Sequence, residues 1–262
     1  MRETGSSFRI APQYQSLMRE VGLDADTVFD HPEIRVWRSI PERENCTLDA
    51  DWQGRKIRLH IKRYRTSEEK HSPADQEAGA IQALMGAEIP TVSLVGWGQL
   101  ADGRSFVITG DLAGYEPADK LIERGLPFDQ VRDATADLAG RLHNRGLHHR
   151  DLYLCHFFVK ADDPTDVRLI DAARVGKLTN FFTRQRWIRK DLAQFWYSTM
   201  ALPISDEQRL AWLQRYAEQR GMPSPAPLVK GIERKAAWIA RHDEKLREKQ
   251  PGRNVSIPRD LA

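Results

Sequence analysis

The sequence has little cysteine and no long apolar run, and these absences exclude several classes of protein. Its 262 residues contain two cysteines, Cys46 and Cys155, so we expect no disulfide framework and a reducing, cytoplasmic environment. No run of about eighteen apolar residues is present, so hydropathy predicts no transmembrane helix. Residues 1–7 contain no apolar core, and we therefore expect no secretory signal peptide.

A strong net charge of either sign is also absent. The formal net charge is +3 and the isoelectric point is near 8.9, which suits an anionic partner and does not indicate nucleic-acid binding. Apolar residues make up 40% and charged residues 29% of the chain, a composition typical of globular proteins with a large core. We find no internal repeat.

The first hundred residues show strand patterns with one main helix. Strands are predicted at residues 34–40, 46–52, 56–64, 92–95 and 105–109, and helices at 12–23 and 73–85. In the strand 56–64, Ile57, Leu59 and Ile61 alternate with basic residues, so we expect one buried and one polar face.

After Gly110 the patterns become helical. Helices are predicted at residues 128–143, 191–201, 206–219 and 227–246. We therefore expect an α+β fold with two lobes, a small β-rich N-terminal lobe over residues 1–110 with one main helix and a larger α-helical lobe over residues 111–262. The charged tail from about residue 247 is expected to be disordered.

The most informative segment begins where a predicted helix ends at residues 143–146. His149-Arg150-Asp151 follows on a loop, and a short apolar strand then ends in Asp171. Phosphoryl transfer uses one carboxylate to orient an acceptor hydroxyl and accept its proton, and another to hold metal on the ATP phosphates. The spacing predicts a protein-kinase-like fold with Asp151 as catalytic base, accompanied by His149 and Arg150, and Asp171 as metal ligand.

Three segments resemble one family of kinases. They are His149-Arg-Asp-Leu-Tyr-Leu-Cys-His-Phe157, Leu169-Ile-Asp-Ala-Ala-Arg174 and Arg186-Trp-Ile-Arg-Lys-Asp-Leu192. They are similar to the lipopolysaccharide-core sugar kinases, the Kdo and heptose kinase family, and the similarity is close from about residue 105 to 200. The resemblance implies ATP-dependent phosphorylation of a Kdo or heptose hydroxyl in a lipid-linked core saccharide. It also implies peripheral association with the inner face of the cytoplasmic membrane.

His156 stands five residues after Asp151, where protein kinases have an asparagine that binds a second metal ion. Mg²⁺ prefers oxygen ligands, so an imidazole here indicates a single Mg²⁺, tolerance of Mn²⁺, or a hydrogen bond to phosphate. The alternative is a histidine packed inside the loop. The neighbouring histidines lack the paired spacing of zinc ligands, which disfavours a zinc site.

Lys62, near the end of the strand 56–64, is the candidate for contacting the ATP phosphates. Glu77 follows fifteen residues later on the next predicted helix. A lysine on this strand paired with that glutamate would hold the phosphates of ATP. Lys56 and Arg63 lie within reach of the same role, and a solvated lysine is the alternative interpretation.

Two further segments are predicted to contact ATP. Residues 41–45 should cover the phosphates, but they contain no glycine and cannot present bare backbone amides, so Arg43 or Asn45 would have to substitute. Residues 106–112 should form the hinge that binds adenine through backbone groups, with Thr109 and Asp111 as candidate ATP-binding residues.

The stretch between Asp171 and Asp191 is rich in basic residues and has no acidic one. Its basic residues are Arg174, Lys177, Arg184, Arg186, Arg189 and Lys190. We expect Arg174, Arg184, Arg186 and Arg189 to bind an acceptor rich in carboxylate or phosphate, the alternative being a solvated basic face. Asp191 is predicted to begin a helix, where it would act as N-cap, hold the catalytic loop through its backbone, or both.

Two other functions remain open. A protein or aminoglycoside kinase is the first, although peptide kinases usually carry a lysine two residues after the catalytic aspartate, where this chain has Tyr153. A non-catalytic pseudokinase that binds partners is the second. The presence of Asp151, Asp171 and Lys62 argues against it, whereas the glycine-free segment and His156 argue for it.

Overall fold

The computed structural model describes residues 6–66 and 71–249, which belong to two compact units. Unit 1 contains the chain up to Gly86 together with Thr91–Ala113, and unit 2 contains Ala87–Pro90 and the chain from Gly114 onward. Unit 1 is mainly strand and unit 2 mainly helix, which confirms the α+β class. Within the described residues, none of the helices combines the length and apolar character needed to cross a membrane.

Unit 1 is built on one antiparallel sheet. Its described elements are β1 (Ser7–Ile10), α1 (Gln15–Glu20), β2 (Arg35–Ile40), β3 (Arg43–Trp52), β4 (Arg55–Tyr64), α2 (Pro73–Gly86), β5 (Leu94–Gln99) and β6 (Ser105–Gly110). The strand order is β1-β5-β6-β4-β3-β2. The helix predicted over residues 12–23 is shorter than expected, because Pro12–Tyr14 forms a 3-10 turn before α1.

The alternation in β3 and β4 gives this sheet one apolar face. Leu48, Leu59 and Ile61 are buried there and pack against Leu17 and Met18 of α1. Burying each such side chain contributes about 1.5–3 kcal/mol to stability. Because successive residues of a strand point to opposite faces, the polar residues between them lie on the other face.

Helix α2 begins where the Ser72 hydroxyl accepts a hydrogen bond from the Asp75 N–H at 3.1 Å, an N-cap arrangement. Its Ala78, Ile81 and Leu84 recur at helical spacing and are buried. The same buried face carries Glu77. The start of the helix thus sets which strand residue Glu77 can reach.

Unit 2 consists mainly of helices with short strands. Its described elements are β7 (Tyr115–Pro117), α3 (Ala118–Glu123), α4 (Asp129–Asn144), β8 (Leu147–His148), β9 (Phe157–Lys160), β10 (Asp163–Leu169), β11 (Gly176–Lys177), α5 (Phe181–Thr199), α6 (Asp206–Gln219) and α7 (Ala226–Lys249). Strands β10, β9 and β7 form one antiparallel sheet in that order, and β11 pairs with β8.

The helices of unit 2 pack through aromatic side chains. The Trp212 ring of α6 stacks on Phe195 of α5, with ring centroids 3.9 Å apart, and also on Tyr216. Helix α5 begins at Phe181, so the predicted start at Asp191 is wrong and Asp191 is not an N-cap. Helix α7 continues to Lys249, and the rest of the tail predicted to be disordered lies outside the described residues.

The predicted catalytic loop follows shortly after the C-terminus of helix α4. Gly146 follows the helix with φ of +73°, a left-handed conformation that glycine adopts without steric cost. Its N–H donates to the His143 carbonyl at 3.2 Å, which closes the last turn. The two-residue strand β8 and then the loop from residue 149 follow directly.

Candidate active site

Asp191 is fully buried in the middle of α5 and fixes the start of the catalytic loop. Its Oδ2 accepts the His149 N–H at 2.7 Å and its Oδ1 accepts the Arg150 N–H at 2.8 Å. The Nε2 of His143 lies 3.2 Å from Oδ2, and the Tyr216 hydroxyl lies 2.8 Å from His143 Nδ1. Burial raises the pKa of Asp191, but these hydrogen bonds outweigh it and hold the pKa below its usual range.

Two further residues of α5 bind the backbone of the same loop. Gln194 accepts the Leu152 N–H at 3.2 Å and donates to the Arg150 carbonyl at 3.0 Å. Ser198 accepts the Leu154 N–H at 2.9 Å. Asp191, Gln194 and Ser198 are three and four residues apart and so share one face of the helix. This face holds the loop in one conformation.

We expect Asp191→Ala to lower the free energy of unfolding by about 3–5 kcal/mol, since each buried donor left without an acceptor costs about 1–3 kcal/mol. Urea denaturation would measure the loss. Asp137→Ala, which removes a partly exposed ion pair with Arg215 on α6, is the matched control and should cost less than about 1 kcal/mol. Because the Asp191 pKa is depressed, its contribution is present at neutral pH and is lost as the pH falls through that pKa. Equal losses in the two variants would contradict this role.

His149 ties the catalytic loop to the segment that carries Asp171. The ring is buried, and its Nε2–H donates to the Ile170 carbonyl at 3.0 Å. The Ile170 N–H in turn donates to the His156 carbonyl at 3.0 Å. Burial lowers the pKa of His149, so the ring is neutral. In this structure the buried His149 ring connects the catalytic loop to the segment before Asp171, and its catalytic role stays a prediction.

The side chain of Arg150 is exposed and lies over the Trp187 ring, with its guanidinium carbon 4.5 Å from the ring centroid. Arg150 and Asp171 both adopt left-handed backbone conformations, with φ of +67° and +58°. Such conformations are costly outside glycine and are retained mainly where surrounding contacts impose them, often at functional sites. The hydrogen bonds from α5 impose the conformation at Arg150.

Three side chains meet where the loop and the end of β10 come together. Asp151, His156 and Asp171 each offer a ligand atom, and these atoms all lie within 4.8 Å of one another. His156 donates from Nδ1 to the Asp151 carbonyl at 2.6 Å, which turns its Nε2 to within 3.8 Å of Asp171 Oδ2. Two oxygens and one imidazole nitrogen at these separations fit a single divalent cation, with water completing its coordination.

The surroundings of His156 favour its protonated form. Burial lowers its pKa, but Cys155 and the Asp171 carboxylate outweigh burial and raise the pKa to about 10. Only the neutral imidazole can be a metal ligand. A cation at Asp171 would therefore compete with the proton on Nε2, and with that proton retained His156 is a hydrogen-bond donor. The metal-ligand and the hydrogen-bond-donor interpretations of His156 both stay predictions.

In unit 1, Lys62 and Glu77 form an ion pair with Nζ and Oε1 2.6 Å apart. The Glu77 side chain is 3% exposed, and its second oxygen accepts a hydrogen bond from the Tyr64 hydroxyl. Burial and the Glu77 charge raise the pKa of Tyr64, which keeps the hydroxyl a donor. The pair fixes the lysine side chain on the polar face of the sheet, and Arg63 instead points to the Phe29 carbonyl at 2.7 Å.

Backbone groups of residues 106–112, the predicted adenine-binding hinge, take part in hydrogen bonds within unit 1. Thr109 lies inside β6, paired with His60 of β4 and Leu94 of β5. The Asp111 N–H donates to the Arg58 carbonyl at 3.1 Å, so it is not available to adenine as the sequence suggested. The Asp111 carboxylate accepts a hydrogen bond from His60 Nε2 at 2.8 Å. Any contact of Asp111 with a nucleotide would use its carbonyl or side chain.

The segment predicted to cover the phosphates is shorter than expected. Strand β2 ends at Ile40 and β3 begins at Arg43, which leaves Pro41 and Glu42 as a two-residue turn. Asn45 is a buried residue inside β3, paired with Lys62 of β4. The turn is therefore shorter than the predicted segment 41–45 and Asn45 is a sheet residue, while the covering of phosphates by this turn stays a prediction.

The basic residues after Asp171 have different surroundings. Arg174 places Nη1 3.8 Å from Asp151 Oδ1, and Lys190 donates to the Arg150 carbonyl at 2.9 Å. Arg186 and Arg189 are exposed on the N-terminal half of α5, and Arg184 is half-buried there. Lys190 thus supports the loop, whereas Arg174, Arg186 and Arg189 remain able to meet an acceptor.

Sequence reasoning missed Gln194, Ser198, Tyr64 and His60. For the first two a signal exists, since Gln194 and Ser198 follow Asp191 at helical spacing, one inside and one directly after the otherwise apolar run Leu192–Tyr197. For Tyr64 and His60 no local pattern distinguishes them, because their partners are far away in the sequence.

Comparisons with known proteins agree with this geometry. Residues 23–216 match the model of the lipopolysaccharide kinase (Kdo/WaaP) family. The chain is 28% identical over 256 residues to lipopolysaccharide core heptose(I) kinase WaaP of Pseudomonas aeruginosa (strain PAO1), covering 87% of this chain and 92% of that protein. It is 28% identical over 171 residues to the protein of the same name from Escherichia coli (strain K12), covering 57% of this chain and 61% of that protein.

Proposed function

Because the chain belongs to the lipopolysaccharide kinase (Kdo/WaaP) family and is a kinase, we propose that it transfers the γ-phosphoryl group of ATP to a sugar hydroxyl of the lipopolysaccharide inner core. The acceptor sugar is a heptose or Kdo residue, and the similarity to two heptose(I) kinases favours heptose. The observation that carries the proposal is the meeting of Asp151, His156 and Asp171 within 4.8 Å.

Asp151 orients the acceptor hydroxyl and accepts its proton as the phosphoryl group transfers. Its side chain is 24% exposed, so an acceptor can reach it, and the contacts of α5 with the loop keep it in place. Arg174 Nη1 lies 3.8 Å from the Asp151 carboxylate, so the same pocket also offers a cation to an anionic acceptor.

Asp171 and His156 are the residues that would hold Mg²⁺, or Mn²⁺, on the ATP phosphates, where the cation neutralises developing negative charge. An imidazole ligand suits Mn²⁺ better than Mg²⁺. Lys62, fixed by Glu77 and Tyr64, contacts the phosphates directly. Thr109 and Asp111 also contact ATP, and Asp111 does so through its carbonyl or its side chain because its N–H is hydrogen-bonded to Arg58.

The acceptor binds through Arg174, Arg184, Arg186 and Arg189. Inner-core saccharides present carboxylate and phosphate groups, which guanidinium groups bind through paired hydrogen bonds. Because the acceptor is attached to a lipid, the enzyme works peripherally at the cytoplasmic face of the inner membrane. We also propose a division of labour along the chain. Residues 1–110 bind ATP, and residues 111–262 bind the acceptor.

Incubation with radiolabelled ATP and a panel of delipidated core oligosaccharides tests the activity directly. Label in a heptose-containing or Kdo-containing acceptor supports the proposal and identifies the sugar. Label only in a peptide or an aminoglycoside would replace it with one of the other kinase functions, and no transfer to any acceptor would reject the assigned activity.

We expect Arg186→Gln combined with Arg189→Gln to raise the KM for a delipidated core acceptor about tenfold, which corresponds to losing one charge-assisted contact. The KM for ATP should stay within about twofold, because neither residue belongs to the proposed nucleotide contacts. The matched control is Arg124→Gln combined with Arg141→Gln, which removes the same charge from other surfaces of unit 2. An unchanged acceptor KM at low salt would contradict the anionic-acceptor hypothesis.

A further inference from the structure

Helix α7 has one flank whose charged residues are all basic. Its buried face is formed by Ile232, Ala236, Ile239 and Asp243. One flank, which we call the basic flank, contains Arg234, Lys235, Trp238, Arg241, His242, Lys245 and Lys249. The exposed acidic residues of α7 are Glu233, Glu244 and Glu248, and at 3.6 residues per turn none of them lies within this flank, although Glu248, seven residues after Arg241, borders it.

An exposed tryptophan lies at the centre of the basic flank. Trp238 is 49% exposed, the Nζ of Lys235 lies 3.5 Å from its ring centroid, and His242 stacks on it at 5.2 Å with the rings 4° from parallel. Its described neighbours on α7 are thus polar, and the ring is not part of an apolar core. Tryptophan beside lysine and arginine is typical of surfaces that contact the interface of a membrane.

The basic flank continues into the N-terminal half of α5. Arg189 lies directly across Gly231, where an added Cβ would come within 2.9 Å of Arg189 Nε. Burial, with a smaller contribution from the charge of Arg186, lowers the pKa of Lys235. The guanidinium carbon of Arg186 lies 5.4 Å from the Trp187 ring. The Arg150 guanidinium also lies over the Trp187 ring. Basic residues therefore extend from α7 to the catalytic loop.

The cations of this surface have no acidic partner among the residues that the structure describes. Among residues 6–66 and 71–249, none forms an ion pair with Arg186, Arg189, Arg234, Lys235, Arg241 or Lys245. Cations brought together without acids repel one another, and an external anionic surface removes that cost. From Arg234 to Lys249 the flank is about 22 Å long, which is longer than one or two sugar rings and suits an extended surface.

We propose that the basic flank is the surface that docks this enzyme on anionic phospholipid headgroups, with Trp238 entering the interface. The inference rests on the proposed function, because a lipid-linked acceptor is what requires a membrane-facing surface next to the catalytic loop. Since the apolar face of α7 is buried against the protein, the association is electrostatic and does not insert the helix.

The test compares binding to phosphatidylcholine vesicles with and without phosphatidylglycerol, by co-sedimentation at low salt. We expect binding only with phosphatidylglycerol, and we expect it to weaken steeply with salt. The triple variant Lys235→Gln, Arg241→Gln, Lys245→Gln should bind roughly 100-fold more weakly, at about fivefold per cation. Trp238→Ala should weaken binding by a smaller factor that depends less on salt. A control variant with the same net charge, Arg124→Gln, Arg141→Gln, Lys160→Gln, should bind like the wild type.

Each alternative gives a different result. Equal weakening in the two triple variants would show that net charge alone attracts the protein, and unchanged binding in the first would exclude the basic flank; either outcome overturns the proposal. A higher KM of that variant for a delipidated core oligosaccharide would make the flank an acceptor site instead. Vesicle binding needs neither ATP nor acceptor, so it is measured independently of activity. Failure of phosphotransfer to every core sugar would reject the proposed function but would not change the vesicle result.

Discussion

Asp151→Asn is expected to lower turnover about 10²–10⁴-fold, the usual loss when a general base is removed. The substitution keeps the size and the hydrogen-bonding shape of the side chain, so the fold and the loop should be preserved. The loop is held through backbone groups by Asp191, Gln194 and Ser198, and these bonds do not depend on the Asp151 charge. Steady-state kinetics on a core saccharide would measure the loss.

The same variant distinguishes a base from a metal ligand, because Asp151 also lies within the cluster with His156 and Asp171. If Asp151 acts as base, the affinity for Mg-ATP measured by calorimetry should change by less than about threefold. A large fall in that affinity would make Asp151 a third ligand. Asp133→Asn, an exposed carboxylate of α4 that pairs with Arg132, is the matched control for charge loss. Wild-type turnover in Asp151→Asn would remove the residue from the mechanism altogether.

Local patterns were sufficient to predict the elements whose buried residues recur regularly. The hairpin of β3 and β4, helix α2 and helix α6 follow from alternating or helical apolar spacing. The α6 start is also marked by Ser205 and Gln208, which form a reciprocal capping box. In these elements the sequence signal and the tertiary burial coincide.

Helix α5 was mispredicted for a physical reason. Residues 181–190 contain a run of basic residues without a regular apolar stripe, so the pattern becomes visible only near Leu192. Asp191 then resembles an N-cap, since aspartate at the edge of an apolar run usually caps a helix. Its carboxylate instead accepts backbone N–H groups from residues 149 and 150, about forty positions away, which no local pattern can reveal.

The candidate site was predictable in its residue types more than in its geometry. The motif around Asp151 and the later Asp171 indicated which side chains to consider. The left-handed backbone at Arg150 and Asp171, and the roles of Gln194 and Ser198, depend on contacts between α5 and the loop. The two-residue turn at Pro41–Glu42 arises because the cross-strand pairs continue to Ile40 and Arg43, and composition alone suggested a longer loop.

Asp171→Ala is expected to abolish metal-dependent nucleotide binding, so that titration with Mg-ATP gives no measurable heat. Asp171 is the carboxylate nearest His156 Nε2, and hard divalent cations depend on carboxylate oxygens for their affinity. His156→Ala should have a smaller effect on Mg-ATP than on Mn-ATP, because imidazole is a better ligand for Mn²⁺. Asp162→Ala, whose side chain is 79% exposed beside Lys160, is the control and should bind normally.

Because Asp171 has a left-handed backbone, a second substitution is needed to separate loss of metal binding from loss of stability. Alanine tolerates that conformation less well than aspartate does, so the variant could lose some stability without any role in metal binding. Asp171→Asn keeps a residue that accepts the left-handed region while removing the charge, and it should lose Mg-ATP binding with little change in thermal stability. Near-normal Mg-ATP affinity in Asp171→Asn would instead mean that Asp171 serves the turn after β10, and the cation site would then have to be sought elsewhere.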